Sequence, residues 1–290
     1  MPSFLPWITA PFGADFVLRA LLGGALVAVI CGVVGTWVII RGMAFLGEAI
    51  GHGMLPGVAV ATVIGAPAVL GAAVSAIAMS AAIGALQRRG RLTYDTSIGL
   101  LFVGMLSLGV IIVSHARSFA TDATTILFGD ILAIGEGDIL LLAFAAVLTI
   151  VLAAAFHRTF VATAFDRRIA QALGLRPQLA QIVLTGLVTL AVVASYQAVG
   201  SLLVVGLLLG PAVAARAWTT RIPSTMLLAA ALGTAAVVIG LLVSWHAGTA
   251  AGASIAGSAI LLAGLSALLR DMTRRLRLAS SHAEPVEALR

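Results

Sequence analysis

Nine long apolar stretches run from residue 18 to residue 269, separated by breaks that are polar or rich in glycine and proline. A helix crosses a bilayer core with roughly 20 apolar residues. On that ruler the pattern predicts spans near 18–40, 53–70, 71–87, 96–114, 139–157, 180–197, 199–217, 225–245 and 250–269. The second and third are joined through Gly65-Ala-Pro67, the sixth and seventh through Gln197-Ala-Val-Gly200. The expected fold is an all-α polytopic membrane protein with about nine transmembrane helices, within a range of eight to ten. A transmembrane domain over 1–270 includes a polar loop at 158–179, and a polar tail follows at 271–290.

Composition sharpens this picture. The chain is 61% hydrophobic and only 10% charged, far from a soluble globular protein. Its basic residues are all Arg; Lys is absent. A Walker A phosphate loop needs its Lys, so this chain is not an ATPase or other enzyme by itself. Cys31, the single cysteine, sits in the first apolar run and reads as a packing residue. No cleavable signal peptide is expected, because the first apolar run is long enough to span.

The arginines also orient the chain. With nine spans, one set of loops carries Arg41, Arg88, Arg89, Arg91, Arg158, Arg167, Arg168, Arg176, Arg216, Arg221 and the C-terminal cluster from Arg270 to Arg290. The other side holds Arg19 and Arg117 and is acidic in its longest loop. By the positive-inside rule the N-terminus is external and the C-terminus cytoplasmic. The net charge of +6 therefore reflects topology and not nucleic-acid binding, and the basic tail suits anionic lipid headgroups.

Against this apolar background, Glu48 and His52 stand out. Residues at i and i+4 share a helix face, and a carboxylate beside an imidazole is a ligand pair for a divalent transition metal. The bland alternative is an ion pair that neutralises two awkward groups. His115, Asp122 and Asp130, in the external loop, are weaker metal candidates and read equally as solvated loop residues.

Two further segments carry chemistry. In the cytoplasmic loop, Phe165, Ile169, Ala172 and Leu173 fall on one face of a short predicted helix, with Asp166 in its first turn and Gly174 as its stop. It either lies on lipid or docks a soluble partner. Gly210 and Pro211 lie inside a predicted span, where proline removes a backbone hydrogen bond and usually bends the helix; bent helices line many transport pathways, and mere packing is the alternative.

Four segments together resemble one family. They are Arg41-Gly-Met-Ala-Phe-Leu-Gly-Glu-Ala-Ile-Gly-His-Gly-Met-Leu-Pro-Gly-Val-Ala59, Leu127-Phe-Gly-Asp-Ile-Leu132, Phe165-Asp-Arg-Arg-Ile-Ala-Gln-Ala-Leu-Gly-Leu175, and Gln197-Ala-Val-Gly-Ser-Leu-Leu-Val204 with Gly210-Pro-Ala-Val-Ala-Ala-Arg216. In this order they resemble the membrane-spanning permease subunit of the ATP-binding-cassette (ABC) importers for zinc, manganese and iron. The resemblance implies a homodimer in a bacterial plasma membrane, two cytoplasmic ATPase subunits and an external metal-binding protein. It makes the 165–175 helix a coupling helix for the ATPase, with Phe165, Asp166, Arg167, Ile169, Ala172, Leu173 and Gly174 at the contact. It makes Glu48 and His52 a transient site on the metal path, with no permanently bound cofactor. The family pattern usually has Asp where this chain has Glu48, and Ser where it has Gly51; near the end, Gly248-Thr-Ala-Ala-Gly252 replaces a Pro-Thr-Gly type turn. The imidazole favours zinc as cargo, with manganese and ferrous iron as alternatives. An ion-coupled carrier using the pair as a proton relay is the reading from another class.

Overall fold

The computed structural model describes residues 10–88, 93–114 and 129–281. These form eleven helical segments: α1 (Asp15–Ile40), α2 (Ala44–Gly53), α3 (Leu55–Ile64), α4 (Ala68–Arg88), α5 (Tyr94–Ser114), α6 (Glu136–Ala155), α7 (His157–Phe165), α8 (Arg167–Ala172), α9 (Pro177–Trp218), α10 (Ile222–Ala247) and α11 (Ala251–Ser281). Among the described residues eight stretches are long and apolar enough to cross a membrane; α2 and α3 together make one of them, and the first half of α9 another. The chain is a multi-pass, all-helical membrane protein.

A ninth crossing is hidden inside α9. Its backbone leaves helical geometry at Gly200 (φ 72°, ψ 166°), a region open essentially to glycine alone. The packing partners on α1 show a reversal there. At the start of α9, Gln181 accepts a hydrogen bond from Arg41 just past the C-terminal end of α1 (2.7 Å). Val199 and Gly200 meet Gly129, two residues before Ile131, which packs at Gly24 near the other end. Cys31 then approaches the Val204 carbonyl, and Leu208 meets Gly35. The second half therefore runs back alongside α1, and Leu203–Trp218 is a short return crossing. The bend expected at Pro211 lies eleven residues earlier, at Gly200. Pro211 sits within regular helix, buried against Gly233 of α10.

The second span also begins earlier than the hydropathy pattern predicts, at Ala44 and not near residue 53. Glycines, Glu48 and His52 dilute its apolar signal to a mean hydropathy of 1.2, yet 61% of it is buried inside the protein. Protein, not lipid, surrounds this helix, so it can carry polar groups. By contrast only 17% of α5 is buried. At its far end, α11 continues helically to Ser281, into the stretch read as a polar tail, with Arg275 paired to Asp271 at 2.9 Å.

Trp37, fully buried near the end of α1, receives the rings of His157 and Phe160 edge-on at 5.5 and 5.1 Å. This seats α7 under the cytoplasmic end of the bundle. The sequence thus converts one buried indole into the anchor for the polar loop.

Candidate metal pathway and docking helix

Glu48 and His52 lie on the same face of α2. The His52 Nε2 and a Glu48 carboxylate oxygen are 2.9 Å apart, and the side chains keep 19% and 29% of their exposure. The pair is thus neither sealed nor open. Phe102 of α5 covers it from one side, its ring meeting the imidazole edge-on at 5.5 Å and 81°. Phe45 packs on the same Phe102 ring at 5.6 Å. Phe102 is eight residues into α5 from its cytoplasmic start, which places the pair about 12 Å along the span at 1.5 Å per residue. The pair therefore packs beside the body of the α5 span and not beside its first turn.

What holds α2 in place is close packing of small residues. The Ser75 hydroxyl of α4 donates to the Gly53 carbonyl at 2.7 Å. Just beyond, Gly57 of α3 and Gly71 of α4 press backbone to backbone, leaving no room for a Cβ on either. Without side chains in the way, helix backbones in lipid gain contact and dispersion energy. Met43, buried at the other end of α2, lies 3.8 Å from the Gln181 amide.

Among the described residues no group of three or more His, Cys, Asp and Glu side chains converges as a metal site. One chain thus offers two ligands here. Of the weaker candidates, Asp130 is exposed beside the short 3-10 turn Ile131–Ala133, near the external end of α1 and away from the pair. His115 and Asp122 lie outside the described residues. Gly210 and Pro211 face Ala259 and Gly233 in the α9–α10–α11 bundle, not the pair. Phe102, which sequence reasoning did not single out, is the aromatic that shapes the site; nothing in an apolar run distinguishes it from its neighbours.

The loop helix forms as α8, but in two parts. Phe165 ends α7; Asp166 is extended and caps α8, its carboxylate accepting from the Arg168 backbone N–H at 2.6 Å. Gly174 stops the helix with φ 73°, as the left-handed stop requires. Phe165, Ile169 and Leu173 are 84%, 53% and 66% exposed, an unusual density of apolar surface on the cytoplasmic side. The Arg167 side chain departs from this cluster and lines a pocket between α4 and α9, with Gln87 and Gln178.

Comparison with known proteins agrees with this architecture. The manganese transport system membrane protein MntC of Listeria innocua is 37% identical over 240 residues, covering 83% of this chain and 85% of the relative. The chelated iron transport system membrane protein YfeD of Yersinia pestis is 31% identical over 86% of this chain and 83% of its own length. Among solved structures, PsaBC from Streptococcus pneumoniae in complex with Fab matches with a TM-score of 0.79 and 31% identity, over 90% of this chain and 94% of the matched one. The family model for the ABC 3 transport family matches residues 13–270, and the chain belongs to that family.

Proposed function

We propose that this chain is the permease subunit of an ATP-driven importer that moves a divalent transition metal, manganese foremost, through a homodimer. The observation that carries the reading is the half-buried Glu48–His52 pair, 2.9 Å apart inside the membrane span. Two ligands bind a transition metal weakly, because stable sites take three or four. A second copy of the pair across a two-fold axis supplies four. Weak, shared binding suits a path on which the ion must also leave.

The pair is prepared for this task. Without cargo, the imidazole N–H donates to the carboxylate and each group satisfies the other. When the ion arrives, that hydrogen bond gives way to two ligand bonds. The shared proton leaves or moves to Nδ1, because only unprotonated groups ligate metal. Manganese replaces zinc as the favoured cargo on two grounds. The carboxylate is the harder of the two ligands and suits manganese, and relatives such as MntC carry manganese in their names. The exposed apolar residues of α7 and α8 are the contact for a separate ATPase, in the helix-in-groove manner, and an external binding protein delivers the ion.

Uptake of manganese by vesicles holding the chain and its ATPase, with the external binding protein supplied, is the test. Glu48→Ala and His52→Ala each lower uptake by at least about tenfold, the scale seen even for outer partners of metal ligands, while ATPase association is kept. Full uptake in both variants rejects the site. Uptake that persists without the ATPase rejects the importer and favours an ion-coupled carrier.

A further inference from the structure

Between α4 and the first half of α9 runs a cleft of about 930 Å³. Its walls are Ile77, Ile83, Ile182, Leu190 and Val193, with small residues between them. It extends from Ala73 to Gln87 along α4, about 21 Å at the helical rise, more than half of a bilayer core of about 30 Å. The hydroxyls within it are already engaged: Ser80 and Thr189 pair at 2.6 Å, and Thr189 donates to the Thr185 carbonyl at 2.9 Å. Apart from the Gln87 and Gln181 amides at its cytoplasmic end, what remains facing the cleft is hydrocarbon.

At its cytoplasmic end the cleft changes character. It continues, through Gly84, Gln87, Gln181 and Ile182, into a smaller pocket of about 350 Å³ closed by Arg167 and Gln178. Among the described residues no carboxylate lines either part. A second cation is near. The Arg41 guanidinium donates to Gln181; burial lowers its pKa, Tyr94 beside it raises it, and Arg167 lowers it again. Two arginines thus share one neighbourhood with amide side chains and no anion lining the pocket.

An apolar slot that ends at an arginine, Arg167, at the cytoplasmic headgroup level has the polarity of one molecule class. We propose that the α4–α9 cleft holds an anionic glycerophospholipid of the cytoplasmic leaflet, one acyl chain in the slot and the headgroup phosphate at Arg167. Gln87 and Gln178 donate to the headgroup oxygens, and the phosphate relieves the repulsion between Arg41 and Arg167. The lipid also ties α8 to α4 and α9, since Arg167 belongs to α8 and the slot to the other two. This site is separate from the metal path, whose residues it does not include.

The test uses the full-length chain in phosphatidylcholine vesicles carrying spin-labelled phosphatidylglycerol or spin-labelled phosphatidylcholine. The immobilised label is counted per chain. The wild-type chain is expected to hold phosphatidylglycerol roughly fivefold more strongly, the scale of one arginine near an anionic headgroup. Gly84→Leu and Gly186→Leu fill the slot; a Cβ at either position meets nothing within 4 Å, so both variants are expected to fold and to lose the immobilised phosphatidylglycerol. Arg167→Gln brings the two lipids to equal binding. The proposal is overturned by equal binding of both lipids to the wild-type chain, or by undiminished phosphatidylglycerol in folded Leu variants. It is also overturned if Ala85→Cys chains cross-link to each other, which would put a second copy in the cleft. If one Leu variant fails to fold, the wild-type preference and Arg167→Gln decide alone.

Discussion

His52 is held by two neighbours at once: its Nε2 lies 2.9 Å from Glu48 and its ring lies edge-on to Phe102 with centroids 5.5 Å apart. One contact fixes the nitrogen and the other fixes the plane. Both come from separate elements, α2 and α5, so the orientation of the imidazole reports how those two helices meet. Because α5 is the least buried of the spans, a movement of α5 is free to reach the imidazole directly.

Phe102→Leu tests this arrangement. Leucine keeps most of the volume and removes the aromatic edge, a contact worth about 0.5–1.5 kcal/mol beyond burial. Apparent affinity for the transported metal is expected to fall by about two- to tenfold at 1.4 kcal/mol per factor of ten, with maximal uptake largely kept. Uptake titrated against manganese concentration checks it. An unchanged half-saturation point shows that Phe102 merely fills space.

The two-glycine contact between Gly57 and Gly71 makes a second, structural expectation. A Cβ on Gly57 runs into the Gly71 carbonyl, a backbone atom that cannot swing aside. Gly57→Ala therefore pushes α3 from α4 and costs about 1–3 kcal/mol, the scale of overpacking. Gly84→Ala on the same α4 meets open space and gains about 0.5–1 kcal/mol from helix preference. Thermal unfolding in detergent ranks the pair. If Gly57→Ala unfolds no earlier than Gly84→Ala, the close approach does not hold the helices together.

Much of this was legible in the chain itself. Apolar run lengths place the helices, arginines orient them, and the four-residue spacing of Glu48 and His52 puts both on one face. Gly174 ends α8 where its left-handed preference predicts. The misses share a physical cause. Hydropathy assumes that lipid surrounds a span, so it started the second span nine residues late, because Gly47, Glu48, Gly51 and His52 are shielded by protein instead. Proline chemistry pointed to Pro211, but a helix in a tight bundle absorbs a proline, whereas a full reversal demands a conformation only Gly200 adopts. Arg167, exposed at the start of α8, also lines a pocket between α4 and α9, a neighbourhood that its position in the sequence does not reveal.

Asp166 joins the local structure to the proposed coupling role. α8 has only six residues, too short to persist without help from its ends. At its start the Asp166 carboxylate accepts from the Arg168 N–H, and at its end Gly174 turns the chain away. Asp166→Ala removes a cap worth about 1 kcal/mol, so the folded fraction of α8 falls and with it affinity for the ATPase, by about fivefold. Because the effect is on the population of the docking conformation, excess ATPase restores uptake. Ile169→Asp instead puts a charge on the exposed apolar face itself, and excess ATPase recovers it far less. Titrating the ATPase against each variant in vesicles separates the two. Equal rescue of both, or failure to rescue Asp166→Ala, contradicts a docking surface that depends on a capped α8.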